Sequence, residues 1–93
     1  MIKYTLITEG PKADIYTMVD DKGPVFDRFL NEIVQEDQKK VVALLKMLAK
    51  TGTIGNIEKY RVISKSDVIE LKPKPHRLLA HRIRHVNNRY KYI

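Results

Sequence analysis

The chain has no cysteine, which excludes disulfides and thiolate metal sites. Its three histidines, His76, His81 and His85, are scattered and form no convincing ligand set, so neither a metal nor a cofactor is expected. No apolar run approaches the roughly 20 residues of a membrane span. The opening MIKYTLITEG also lacks the apolar block of a secretory signal, so a cytoplasmic protein with no membrane partner is expected. Low-complexity tracts are absent too, and 43% hydrophobic with 31% charged residues is an ordinary globular balance. At 93 residues the expectation is one domain, residues 1–93, because a chain this short cannot support two cores.

Acidic residues are scarce where basic ones are dense. Residues 58–93 hold ten Lys/Arg against three Asp/Glu, whereas residues 1–57 hold eight of each. The net charge of +7 is therefore local. A sequence pI near 9.7 with clustered charge favours a polyanionic partner, most simply nucleic acid. A membrane surface is the weaker rival, since it would want a basic amphipathic helix and these cations sit in alternating, strand-like sequence.

Read in order, Ile2 to Thr8 is β-prone and ends in the turn chemistry of Glu9-Gly10-Pro11-Lys12, with Asp14 to Val19 as a second short strand. Pro24 suits the first position of a helix, and Val25, Phe26, Phe29, Leu30, Ile33 and Val34 then make one apolar face. Asp37 is the predicted cap of a second helix carrying Val41, Val42, Leu44, Leu45, Leu48 and Ala49, with Gly52 closing it. Strands follow over Lys59 to Ile63, Asp67 to Lys72, Arg77 to Val86 and Arg89 to Ile93. The fold class expected is α+β: N-terminal strands, a two-helix hairpin, then an antiparallel sheet of about four strands with the helices on one side.

Period two puts Ile69 and Leu71 toward the helices. A two-residue turn at Asn87-Asn88 would set Val86 opposite Arg89, His85 opposite Tyr90 and Ile83 opposite Tyr92. His85, Tyr90, Ile83 and Tyr92 then share the Arg77 face, and Arg82, Arg84, Arg89 and Lys91 share the face that Leu78 and Ala80 give to the helices. Four cations cannot be buried there unpaired. Either the helices cover only the first half of that strand, or a bulge near Ala80 to Arg82 swaps the faces and brings Arg77, Arg82 and Arg84 together.

The segments GPVFDRFLNEIVQEDQKKVVALLKMLAKTG and YRVISKSDVIELKPKPHRLLAHRI, taken in order, resemble the RelE/HigB superfamily of toxins, nearest its phage-derived branch. The likeness runs from about Ile15 to Ile83. It rests on the helix end Leu45 to Gly52, on Glu70-Leu71-Lys72 where the family has Glu-Leu-Arg, and on Arg77 and Leu79 in the following strand, with Ala80 where an aromatic is usual. The resemblance implies a RelE-like fold and the toxin of a toxin-antitoxin pair. It also implies a metal-independent endoribonuclease that cuts messenger RNA on the ribosome and is neutralised by a cognate antitoxin. It makes Arg77 the group that contacts the scissile phosphate. The family continues past the last strand, about where Tyr90-Lys91-Tyr92-Ile93 stands. A shortened, inactive homologue that binds RNA, the ribosome or an antitoxin is therefore the alternative, and homo-oligomerisation is left open.

Cutting RNA without a metal requires removal of the 2′-hydroxyl proton, in-line geometry and stabilisation of a phosphorane. Arginine serves the last task well because its planar fork binds two phosphate oxygens. The catalytic candidates are Arg77, with His81 and Tyr92, and His85 is a further base or acid. Glu70 reads as a counter-ion with a base role open. Lys72, Lys74, Arg82, Arg84, Arg89 and Lys91 form the candidate RNA-binding surface. Each has a plainer reading: Arg77 as half of a salt bridge to Glu70, the histidines as half-exposed strand residues, the tyrosines as ordinary strand formers.

Overall fold

A computed structural model describes residues 3–63, 67–84 and 89–93, with Arg84 in its backbone alone. The chain opens with a hairpin, β1 (Lys3–Glu9) and β2 (Ala13–Asp20). Gly10 makes the turn possible: its N–H donates to the Ala13 carbonyl at 2.9 Å, and a Cβ there would fall 2.5 Å from the Ala49 carbonyl oxygen. The next turn runs through Gly23 at φ 104° into the short β3 (Gly23–Pro24). There the Lys22 N–H, and after it the Arg28 guanidinium, hold the Asp20 carboxyl below its usual range.

Helix α1 (Val25–Glu32) starts behind Pro24 without a local side-chain cap. Its Phe26 N–H donates instead to the Thr17 hydroxyl of β2 at 3.0 Å, so sheet and helix share a half-buried hydrogen bond. Helix α2 (Gln35–Thr51) has Val34 at its N-cap, two residues before Glu36-Asp37. Asp37 is therefore not the cap expected of it; it lies in the first turn, where a carboxylate still suits the helix dipole. The link between the helices is Gln38, whose amide donates to the Leu30 and Ile33 carbonyls at 2.8 and 3.3 Å. Val41, Leu44, Leu45, Leu48 and Ala49 are buried on one stripe of α2, and Gly52 ends it at φ 83°.

Four strands follow the helices: β4 (Tyr60–Val62), β5 (Val68–Leu71), β6 (Leu78–Arg84) and β7 (Tyr90–Tyr92). They do not form a separate antiparallel sheet. β7 pairs in parallel with β2 over Ala13–Ile15, giving one mixed sheet in the order β1-β2-β7-β6-β5-β4, with β3 on β2. The helices and the β4-β5-β6 meander together act as a long crossover that returns β7 beside the first hairpin. Ala13, Ile15, Tyr60, Ile69, Leu71 and Tyr92 meet α2 in the core, with Phe26 and Phe29 of α1 packed against it.

The pairing of β6 with β7 is one residue away from the expected register. Arg82 stands opposite Tyr92, Ile83 opposite Lys91 and Arg84 opposite Tyr90, whereas a two-residue turn would put Ile83 opposite Tyr92. That turn, Asn87-Asn88, and His85 lie outside the described residues. A slip of one residue flips a strand's side chains. Tyr90 and Tyr92 accordingly share a face with Arg82 toward the helices, and Lys91 joins Ile83 and His81 on the outer face. Among the described residues the registers of β6 run without a bulge, so the expected swap of faces does not occur and Arg82 stays on the side of Leu78 and Ala80.

Candidate nucleic-acid interface

Among the described residues, the helices cover one side of the sheet and leave the other bare. On the bare side, β5 presents Glu70 between Arg61 of β4 and Leu79 of β6. Its carboxylate lies 3.5 Å from Arg77 Nη1 and 3.7 Å from both Arg61 Nη2 and Lys72 Nζ. Glu70 is only 8% exposed, and its Oε1 has no hydrogen bond. A desolvated carboxylate oxygen with ions near it but no donor on it is uncommon in a folded protein. Arg77 is its opposite, with a side chain 70% exposed. That ion pair orients the guanidinium more than it stabilises the fold, and its remaining N–H groups face solvent, where a phosphate would bind.

His81 shares the bare face and is exposed, yet it stands four residues from Arg77, about 13 Å along an extended strand. One phosphate cannot touch both. Lys72, beyond its pair with Glu70, donates to the Ile57 carbonyl at 3.3 Å. Lys74 is exposed in the Pro73–Pro75 loop and, with Lys40, Lys59 and Lys72, rims a shallow groove against α2. Lys91 lies 4.8 Å from the centres of both the Tyr4 and Tyr16 rings, which are themselves edge to face. This cation over an aromatic pair belongs to the outer face.

Three expected site residues are elsewhere. Tyr92 is 0% exposed, donates from its hydroxyl to the Gly52 carbonyl at 2.6 Å and shares a hydrogen bond with Tyr60 at 3.0 Å. Burial, then the Tyr60 bond, pushes its ionisation well above the usual tyrosine range. A phenol so enclosed meets no substrate, so Tyr92 is a core residue. Arg82 turns inward, donating to the Tyr60 hydroxyl at 3.1 Å and resting 5.6 Å over the Tyr90 ring. Arg89 clamps the first hairpin, donating to the Gly10 carbonyl at 2.8 Å and to Asp14 at 2.6 Å. The Arg84 side chain lies outside the described residues. His76 is likewise structural, 3.0 Å from Asp37 and edge-on to Phe29.

Arg61, Tyr4 and Tyr16 are on this face without having been singled out from the sequence. Pairing β4 with β5 across the short Ser64-Lys65-Ser66 connection places Arg61 beside Glu70, so that signal was readable; Lys91 over the two tyrosines depends on the parallel β2–β7 pair, which local patterns do not encode. Among the described residues no three His, Asp or Glu are placed to hold a metal ion, and no helix is long and apolar enough to cross a membrane.

No family model, curated protein or solved structure matches this chain.

Proposed function

We propose that the domain binds single-stranded RNA across the bare sheet face and cleaves it without a metal, as a RelE/HigB-type toxin restrained by a cognate antitoxin and acting on ribosome-bound messenger RNA in the cytoplasm. The observation that carries the reading is the Glu70–Arg77 pair: an exposed guanidinium 3.5 Å from Oε2 of a largely buried carboxylate. With a phosphate on Arg77, the neighbouring ribose 2′-hydroxyl gives its proton to Glu70 Oε2, the oxygen that faces Arg77, and attacks phosphorus. Arg77 offsets the phosphorane charge. The 5′-oxygen leaves with a proton from water, and a 2′,3′-cyclic phosphate remains. His81 serves an adjacent nucleotide.

A second reading, RNA binding without cleavage, is favoured by Tyr92, whose burial removes one expected catalytic group, and by the three cations around Glu70. The test is incubation of a labelled messenger RNA, free and ribosome-bound, with the protein in a chelator. Cyclic-phosphate ends that disappear with Glu70→Gln and Arg77→Ala support cleavage. Intact RNA in both settings, with binding retained, establishes the second reading instead.

A further inference from the structure

The groove that Lys74 rims is walled on both sides by described residues held in place by hydrogen bonds. One wall is α2. The other is two loops: the Asn56 carbonyl accepts from the Lys59 and Tyr60 N–H groups at 2.9 Å, and the Lys72 N–H donates to the Lys59 carbonyl at 2.9 Å. His76 pins the Pro73 loop to the first turn of α2, 3.0 Å from Asp37, while its own N–H donates to the Pro73 carbonyl at 3.0 Å. The cavity measures about 380 Å³; its apolar lining is Leu44, Met47 and Pro73, and its exposed cations are Lys40, Lys59 and Lys74. Among the described residues none of these three lysines has a carboxylate partner, and no aromatic ring lines the cavity. Such a lining fits an aliphatic side chain with carboxylates on either side of it: methylenes and an adaptable thioether for the one, compact ammonium charges for the others. RNA is served less well, because a base needs an aromatic face to stack on. A flat anionic membrane does not reach a floor at Leu44, which is only 6% exposed.

The chain carries an occupant of that chemistry itself. At the corner between α1 and α2, Val34 is 66% exposed, and Glu32 and Glu36 on either side of it are exposed as well. Neither glutamate has a cationic partner among the described residues. Glu36, Lys40, Ala43 and Met47 are all exposed, and their spacings of four, three and four residues make them one stripe of α2, about 16.5 Å long. The acidic corner stands at one end of this stripe and the lysine-rimmed groove toward the other, so the surface is complementary to itself when two copies meet antiparallel. We propose that the α2 stripe is a homodimer contact, in which the corner at Glu32, Val34 and Glu36 of one protomer enters the groove of its partner. A two-fold axis forms the same contact a second time in reverse, and Ala43, near the middle of the stripe, lets the two helices approach. Arg77 and Lys91 lie outside the contact, so the inference goes beyond the RNA reading and does not depend on it.

The experiment measures the mass of the full chain by analytical ultracentrifugation between about 0.01 and 1 M salt, a range over which the Debye length falls from roughly 30 to 3 Å. The expected result is a dimer at the low end that dissociates toward the high end. Two variants then cross the charges: Glu32→Lys with Glu36→Lys makes the corner basic, and Lys40→Glu with Lys59→Glu makes the groove acidic. Each alone is expected to be monomeric, because its corner and groove now carry like charge. Mixed in equal amounts at low salt they should regain the dimer mass, since the basic corner of the first meets the acidic groove of the second and the unaltered corner and groove meet each other. A variant that had failed to fold would not be rescued in this way. A monomer mass for the unaltered chain at low salt overturns the proposal. A dimer that survives in both variants places self-association elsewhere and overturns it too, as does a mixture that stays monomeric. A monomeric chain that binds a synthetic peptide with leucine between glutamates, and loses it with Lys40→Glu and Lys59→Glu, makes the groove a site for a foreign acidic segment and likewise overturns the second-copy reading.

Discussion

Arg77 and Tyr92 show how burial decides what a side chain of suitable chemistry can do. With its side chain 70% exposed, Arg77 contributes little to folding, so Arg77→Ala should shift stability by no more than about 0.5 kcal/mol. The same change should slow RNA cleavage roughly 100- to 1,000-fold, as loss of one charge-stabilising donor does. Thermal melts and single-turnover rates on one preparation check both halves. Tyr92 behaves in the reverse way. Its ionisation is raised in the folded state from an ordinary value of 10.0, so its contribution to stability is fully present below pH 10 and is lost as pH climbs above it. Tyr92→Phe should cost about 1 to 3 kcal/mol at neutral pH, because the Gly52 carbonyl loses its buried donor. It should also flatten the alkaline fall in melting temperature; an unchanged alkaline limb would show that the phenol does not couple to folding.

Elements are held here by bonds between them more than by their own caps. α1 has no side-chain cap of its own and relies on Thr17 of β2. Thr17→Val, which keeps the shape and removes the acceptor, should therefore cost about 1 kcal/mol, as loss of a cap does, with the loss seen in urea midpoints. The helices were legible in the sequence because period 3.6 is a local signal, and Val41, Leu44, Leu45 and Leu48 occupy the buried stripe it implies. Gly52 was legible for a local reason too: a positive φ at a helix end. The β6–β7 register was not. It depends on a loop whose geometry no short motif sets, and one residue of slip moved Tyr90, Lys91 and Tyr92 to the opposite face from the one expected. The parallel β2–β7 pair joins segments some 75 residues apart, as in Arg89–Asp14, beyond the reach of any turn signal. Of the site, Arg77 with Glu70 was readable from strand alternation, and Lys91 over Tyr4 and Tyr16 was not, since it depends on the parallel β2–β7 pair.

Over the whole molecule the positive charge divides by work rather than by position in sequence. Arg89 and Lys91 are two residues apart, yet Arg89 fastens the hairpin at Gly10 and Asp14 while Lys91 sits on the outer face over Tyr4 and Tyr16. Phosphate binding releases counterions, and for a single strand each contact contributes about 0.7 to the slope of log affinity against log salt. Lys91→Ala should lower that slope by about one contact, with stability nearly unchanged. Arg89→Ala should leave the slope alone and cost about 1 kcal/mol of stability, an exposure-discounted value for a half-buried ion pair. Titrating both variants over a salt series while following their urea midpoints separates the two roles. Equal slopes for Lys91→Ala and the unaltered protein would move the RNA track off the β1–β2 side of the sheet, toward the Arg61, Lys72 and Arg77 cluster around Glu70.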